Sequence, residues 1–126
     1  MMKQSLFKFG VVLGLVTLPW ISVSADSHQL PPVPFGISLG YSGFNQYCAV
    51  CHGETLAGSK QGPPLMHGYY HPSHHSDVAF YRAIARGVRQ HHWEFGDMPA
   101  VIEIQENEAV AIVRFIRWAQ QTMELY

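Results

Sequence analysis

Residues 48–52 read Cys48-Ala49-Val50-Cys51-His52, and this stretch holds both cysteines of the 126-residue chain. The pattern Cys-x-x-Cys-His is the attachment signature of c-type haem, because one helical turn between the thiols lets both reach the vinyl groups at one porphyrin edge. The histidine that follows can then offer its imidazole to the iron from the same side. The stretch therefore predicts one covalent haem held by Cys48 and Cys51, with His52 as an axial ligand.

Two other uses of a Cys-x-x-Cys pair fit the chain less well. A thiol–disulfide redox centre normally lies in a βαβ setting, and the sequence lacks the runs of β-branched residues that would form its strands. A structural zinc site needs four ligands, usually from two Cys/His pairs, and there is no second cysteine pair. Haem attachment is the favoured interpretation.

The first 25 residues have the three-part layout of a secretory signal peptide. Lysines are followed by an apolar run, and residues 23–25 (Val-Ser-Ala) supply the small side chains of a cleavage site. The apolar run is shorter than the roughly 20 residues that a membrane-spanning helix needs, although an uncleaved membrane anchor is the alternative. We expect export to the periplasm, a proline-rich linker over residues 26–37, and one domain over residues 38–126.

Charge and composition exclude two classes of protein. The net charge of -1 and the pI of about 6.7 do not give the basic footprint of a nucleic-acid-binding protein. With 48% hydrophobic residues and 13% charged residues, the chain does not have the composition of a disordered protein. Cleavage after residue 25 would leave 6 basic and 9 acidic side chains, so the mature domain is mildly acidic.

Apolar periodicity predicts three helices. The first covers about residues 38–50, and the second covers about residues 76–86, with Gly87 as its stop signal. The third covers about residues 105–123 and has one apolar face. Arg117 in its later part is placed where a positive charge complements the helix dipole. These elements predict an all-α domain around a cofactor.

The sixth ligand of the iron is predicted in the segment Gly96-Asp97-Met98-Pro99. Glycine and proline favour a tight, extended segment that can present the thioether of Met98 to a flat surface. His91 and His92, which precede this segment, are the alternative ligands.

These motifs resemble those of the small class I monohaem cytochromes c. The resemblance extends from about residue 40 to about residue 118. Its matching elements are Gly40, Phe44 and Cys48 at four-residue intervals, the segment Gly62-Pro63-Pro64-Leu65, and Met98-Pro99.

The resemblance implies a cytochrome c-like fold of three or more helices wrapped around one covalently attached haem. It implies that the carbonyl of Pro63 accepts a hydrogen bond from His52, which fixes the tautomer of that ring. It also implies that the first and last helices cross closely, so that Gly40 and Phe44 would meet Phe115 or Trp118.

Six of the eight histidines lie in two loop regions, and these are His67, His71, His74, His75, His91 and His92. Imidazoles are common metal ligands, so the two groups could hold copper or another metal if the fold brings them together. The alternative is that they are solvent-exposed loop residues or bind a haem propionate.

The main functional prediction is a periplasmic electron-transfer protein that is not itself an enzyme. His52 and Met98 together would leave the iron without an open site, and an exposed haem edge would meet redox partners in transient contacts. One alternative is a metal-binding or sensing haem protein that uses the histidine-rich loops. Another is a haem enzyme or gas binder, which would require Met98 to dissociate. Membrane contact is expected only through an uncleaved N-terminal segment or a membrane-bound redox complex, of which the domain could be a subunit.

Overall fold

The computed structural model describes residues 29–126, so the predicted signal peptide and the first residues of the predicted linker lie outside the described residues. Four α-helices follow in chain order: α1 (Ser38–Tyr47), α2 (Ala49–His52), α3 (Asp77–Arg86) and α4 (Glu106–Thr122). Short 3₁₀ turns lie at Phe35–Ile37 and Gly68–Tyr70. Residues 29–126 contain no named β-strand and one isolated β-bridge, which confirms the all-α prediction.

The first and last long helices cross at a glycine. A Cβ atom at Gly40 would lie 2.0 Å from the carbonyl oxygen of Ala111, so only a residue without a side chain allows this approach. One turn further along α1, the rings of Phe44 and Phe115 pack with centroids 5.3 Å apart, and both side chains are fully buried. The crossing implied by the resemblance is therefore present.

The predicted first helix, residues 38–50, is interrupted at Cys48. The backbone of Cys48 has φ -115°, away from the helical value of about -63°, and α2 begins at the next residue. The carbonyl of Cys48 accepts hydrogen bonds from the backbone N–H groups of Cys51, at 3.1 Å, and His52, at 2.9 Å. The Cys-x-x-Cys-His motif thus forms a separate helical turn after α1.

Helices α3 and α4 lie within one residue of their predicted ends. Gly87 ends α3 with φ +73°, a conformation that favours glycine. At the start of α4, the backbone N–H of Gln105 donates to a carboxylate oxygen of Glu108 at 3.0 Å, as part of a capping box between these two residues.

The apolar core lies between α1, α3 and α4. Its buried residues are Phe44, Leu56, Leu65, Phe80, Ile84, Ala109, Ile112, Val113, Phe115, Ile116 and Ala119. Leu30 and Val33, from the segment predicted as linker, pack against this core with Ile37. Among residues 29–126, no helix combines the length and the apolar character needed to cross a membrane.

Candidate functional site

A cavity of about 440 Å³ lies beside the core and is open to solvent on one side. Its apolar lining comes from α1, α3, α4 and the loops, through Phe44, Leu65, Phe80, Ile84, Ile112 and Ile116. The predicted haem residues Cys48, His52, Pro63 and Met98 also line it, and so do the alternative ligands His91 and His92 and the loop histidine His75. Cys51, the remaining predicted haem residue, lies in the same helical turn as His52 and packs against the backbone of Gly62.

The imidazole of His52 is held in one orientation. Its Nδ1 atom lies 2.9 Å from the carbonyl oxygen of Pro63, so Nδ1 carries the proton and donates it. Burial lowers the pKa of His52, although the hydrogen bond to Pro63 opposes that shift. The ring is therefore neutral, and the lone pair of Nε2 is free to bind a metal ion.

Cys48 does not have the electrostatics of the reactive thiol in a thiol–disulfide centre. Burial, followed by the neighbouring Cys51, raises the pKa of the Cys48 thiol to about 11. A reactive thiol needs the opposite shift, because the thiolate is the nucleophile.

The backbone at Met98 is fixed against the end of α3. Val88 and Met98 exchange both backbone hydrogen bonds of the β-bridge, each at 2.9 Å. Gly87 lies directly behind this contact, where a Cβ atom would lie 2.4 Å from the carbonyl oxygen of Met98. The loop between them is closed by a 2.9 Å hydrogen bond from the backbone N–H of Gln90 to the carboxylate of Asp97. Met98 thus lines the cavity from a segment with defined backbone contacts.

One buried polar group in the cavity wall has no partner within the protein. The indole N–H of Trp93 is shielded from solvent and makes no hydrogen bond, although such donors are normally paired. Arg82, Arg89 and Gln90 also line the cavity. A haem fits these surroundings, because its ring would contact the apolar wall and a propionate could accept from Trp93.

The six loop histidines separate into different local roles. Nδ1 of His67 accepts from the backbone N–H of Tyr69 at 3.2 Å, and Nδ1 of His71 accepts from that of Ser73 at 3.1 Å. Both rings therefore stabilise their own turns. Nδ1 of His91 lies 2.9 Å from the carbonyl oxygen of Arg89.

The other three loop histidines, His74, His75 and His92, come together from two segments that flank α3. One ring nitrogen of each lies within 4.8 Å of those of the other two. Desolvation lowers the pKa of His75, and the nearby His74, His91 and Arg117 lower it further. The pKa of His92 is also lowered, by desolvation and then by the other histidines around it.

A residue with a structural role in this region was missed in the sequence. Arg117 is only 8% exposed, whereas its position in the sequence suggested a role at the helix dipole. It donates to the carbonyl oxygens of Tyr70 and His75 and to the carboxylate of Asp77. In the sequence, Arg117 directly follows Ile116, which belongs to the apolar face of the helix. The apolar periodicity did not indicate that a loop covers the side chain of Arg117.

Comparison with known families gives one match. The family described as Cytochrome c matches residues 37–120, which is about two thirds of the chain. No curated protein and no solved structure matches the chain.

Proposed function

Because the chain belongs to the cytochrome c family and so has a haem-based electron-transfer role, we propose that its single haem has His52 and Met98 as axial ligands. The observation that carries this assignment is that Cys48, His52 and Met98 line one cavity. Cys48 and Cys51 would form the two thioether bonds. When bound, the haem supplies one-electron exchange at its iron.

The protein residues around the cavity each have a defined task in this proposal. Pro63 orients His52 through its carbonyl and makes the imidazole a better ligand. Met98 occupies the sixth position, and a thioether in this place favours a higher reduction potential than a second histidine would. With His52 and Met98 both bound, the iron would offer no open site to a substrate, so we expect a carrier and not an enzyme.

We place this carrier in the periplasm, where it would exchange electrons with partner proteins in transient contacts. Support comes from the layout of residues 1–25 and from the Cys-x-x-Cys-His motif. The docking surface would not be lysine-rich, because Lys60 is the only lysine after residue 25. Cell fractionation with haem staining tests the location: haem-stained protein confined to the cytoplasm would contradict it.

The ligand assignment is tested by Met98→Leu, which removes the thioether and nearly preserves side-chain volume. We expect covalent haem to be retained on a denaturing gel, while the long-wavelength absorption band of methionine-ligated ferric haem disappears. Met66→Leu is the matched control and should keep the band, because Met66 does not line the cavity. A wild-type protein without the band, or a Met98→Leu variant that keeps it, would refute Met98 as the ligand. His91→Ala and His92→Ala would then identify a histidine ligand.

A further inference from the structure

Three histidines outside the proposed ligand set form a group at the edge of the cavity. His74 and His75 precede α3, and His92 follows it, so the fold brings them together across 17 to 18 positions of sequence. We propose that His74, His75 and His92 bind one zinc ion. This inference does not depend on the haem. It reduces the candidate metal ligands from the six loop histidines to three.

The spacing of the nitrogen atoms suits a tetrahedral ion. The Nε2 atoms of His74 and His92 lie 3.3 Å apart. In a tetrahedral site with zinc–nitrogen bonds of about 2.0–2.1 Å, two ligand nitrogens lie about 3.3–3.4 Å apart. All three nitrogens already lie within 4.8 Å of one another, so side-chain rotations alone can close the group around an ion.

The hydrogen bonds leave the required lone pairs free. Nδ1 of His75 is hydrogen-bonded to the carbonyl oxygen of Tyr69, so this nitrogen carries the proton and Nε2 keeps its lone pair. A carbonyl that accepts from the far nitrogen of a metal-bound histidine is a common supporting contact in zinc sites. His74 and His92 face each other through Nε2, and a zinc ion between them would be bound by the lone pairs of these two atoms.

Two neighbouring histidines, His67 and His71, do not meet the same conditions. Nδ1 of His67 and of His71 is used as an acceptor for a backbone N–H, so the neutral ring carries its proton on Nε2. Neither ring therefore offers Nε2 to an ion without breaking its turn. These two residues are matched controls, because they are histidines in the same loop but outside the group.

The ligand chemistry favours a transition metal over calcium or magnesium. Within the described residues the group consists of imidazoles alone and contains no carboxylate. Imidazole suits zinc and its neighbours, whereas calcium and magnesium prefer oxygen ligands. His74 is exposed, which gives the ion access from solvent and leaves room for water as the fourth ligand.

The bound ion would join the two loops that flank α3. The carbonyl of His75 is already held by Arg117, so the loop before α3 forms the fixed half of the site. His92 belongs to the loop that leads to Met98, and zinc would restrain that loop at a second point besides the Val88–Met98 bridge. We therefore expect zinc to raise the melting temperature of the protein.

The test uses the untagged, haem-loaded protein after treatment with a chelator, titrated with zinc chloride in competition with a chromogenic chelator. We expect one zinc ion per chain and a higher melting temperature with zinc. His92→Ala should weaken zinc binding at least about tenfold, since even the loss of a supporting contact to a zinc ligand costs about that much. His71→Ala should bind zinc as the wild type does.

A second variant and a spectroscopic measurement distinguish loss of the zinc site from misfolding. His74→Gln retains a polar side chain of similar length, and His74 does not line the cavity, so unchanged haem absorption in this variant would show that loss of zinc does not reflect misfolding. X-ray absorption at the zinc edge should show imidazole nitrogens in the first coordination shell. The proposal is overturned if the wild type binds no stoichiometric zinc, or if His71→Ala weakens binding as much as His92→Ala. It is also overturned if His92→Ala leaves zinc affinity unchanged and alters only the haem spectrum, since that would assign the group to the haem.

Discussion

Arg117 offers the most demanding test of how the loop beside the cavity is held. Its guanidinium donates from Nε to the carboxylate of Asp77 at 2.7 Å, from Nη1 to the carbonyl oxygen of Tyr70 at 2.7 Å, and from Nη2 to that of His75. It also donates to the side-chain oxygen of Gln120 at 2.7 Å. One side chain of α4 thus ties down the loop from residue 70 to the start of α3, and Arg117→Ala removes all of these contacts.

The expected loss of stability follows from which partners are buried. Gln120 is completely buried, so in Arg117→Ala its side-chain oxygen would lose a hydrogen-bond donor that water could not replace. This loss costs about 1–3 kcal/mol of stability. The two loop carbonyls belong to partly buried residues and would cost about 1 kcal/mol each. The side chain of Asp77 is 55% exposed, so its ion pair adds less than about 1 kcal/mol. We expect a total of roughly 3–6 kcal/mol, which is a large part of the stability of a small domain.

Urea unfolding of the haem-loaded protein, followed by far-ultraviolet circular dichroism, measures this loss. Arg114→Ala is the matched control, because Arg114 lies on the same helix, is exposed, and should change stability by less than about 0.5 kcal/mol. Arg117→Lys keeps the charge but not the planar set of donors, so its loss should lie between those of the two alanine variants.

Two results would refute this reasoning. If Arg117→Ala unfolds within about 1 kcal/mol of Arg114→Ala, the buried contacts do not hold the loop. If Arg117→Lys is as stable as the wild type, the charge alone matters and the geometry of the guanidinium does not.

Two glycines make further predictions, each with a glycine control. Gly40→Ala should destabilise the protein by about 3 kcal/mol or more, because its Cβ would lie 2.0 Å from a backbone oxygen of α4. Gly36 has open space around it, so Gly36→Ala should be nearly neutral in the same urea assay. Gly87→Ala should displace the backbone of Met98 and weaken the absorption band of methionine ligation. Gly96→Ala should keep the band and lower the free energy of unfolding by only about 1–2 kcal/mol, because the backbone of Gly96 has a positive φ. A Gly40→Ala variant as stable as the wild type, or an unchanged band in Gly87→Ala, would contradict these two accounts.

Helices were predicted from the sequence with good accuracy because their signals are local. The apolar periodicity of α4 and the stop at Gly87 depend on residues within one or two turns. The break at Cys48 could not be predicted, because residues 38–50 show no glycine or proline at that point. The break arises from the hydrogen bonds of the next turn, where the carbonyl of Cys48 accepts from the backbone N–H groups of both Cys51 and His52.

In the site, too, short sequence motifs were predictable, whereas contacts between distant parts of the chain were not. The Cys-x-x-Cys-His motif and the Gly-Pro-Pro-Leu segment are short patterns, and the fold places His52 against Pro63. The grouping of His74, His75 and His92 depends on how two loops fold over α3, which no periodicity encodes. The sequence therefore supplied six candidate histidines without a way to choose among them.

The fold separates the part of the protein that has its own core from the part that carries the candidate ligands. Apolar burial is concentrated where α1 and α4 cross, whereas the loops over residues 67–75 and 88–98 are held by polar contacts and by the packing of Tyr69 against His92 and Trp93. A haem bound by Met98 and a zinc ion bound by His92 would both engage the second of these loops. Ligand binding stabilises whichever state binds it, so both ligands would add stability where the protein alone has least. We therefore expect the loop over residues 88–98 to be the segment whose hydrogen exchange slows most when zinc is added, and equal slowing along α4 would contradict this view.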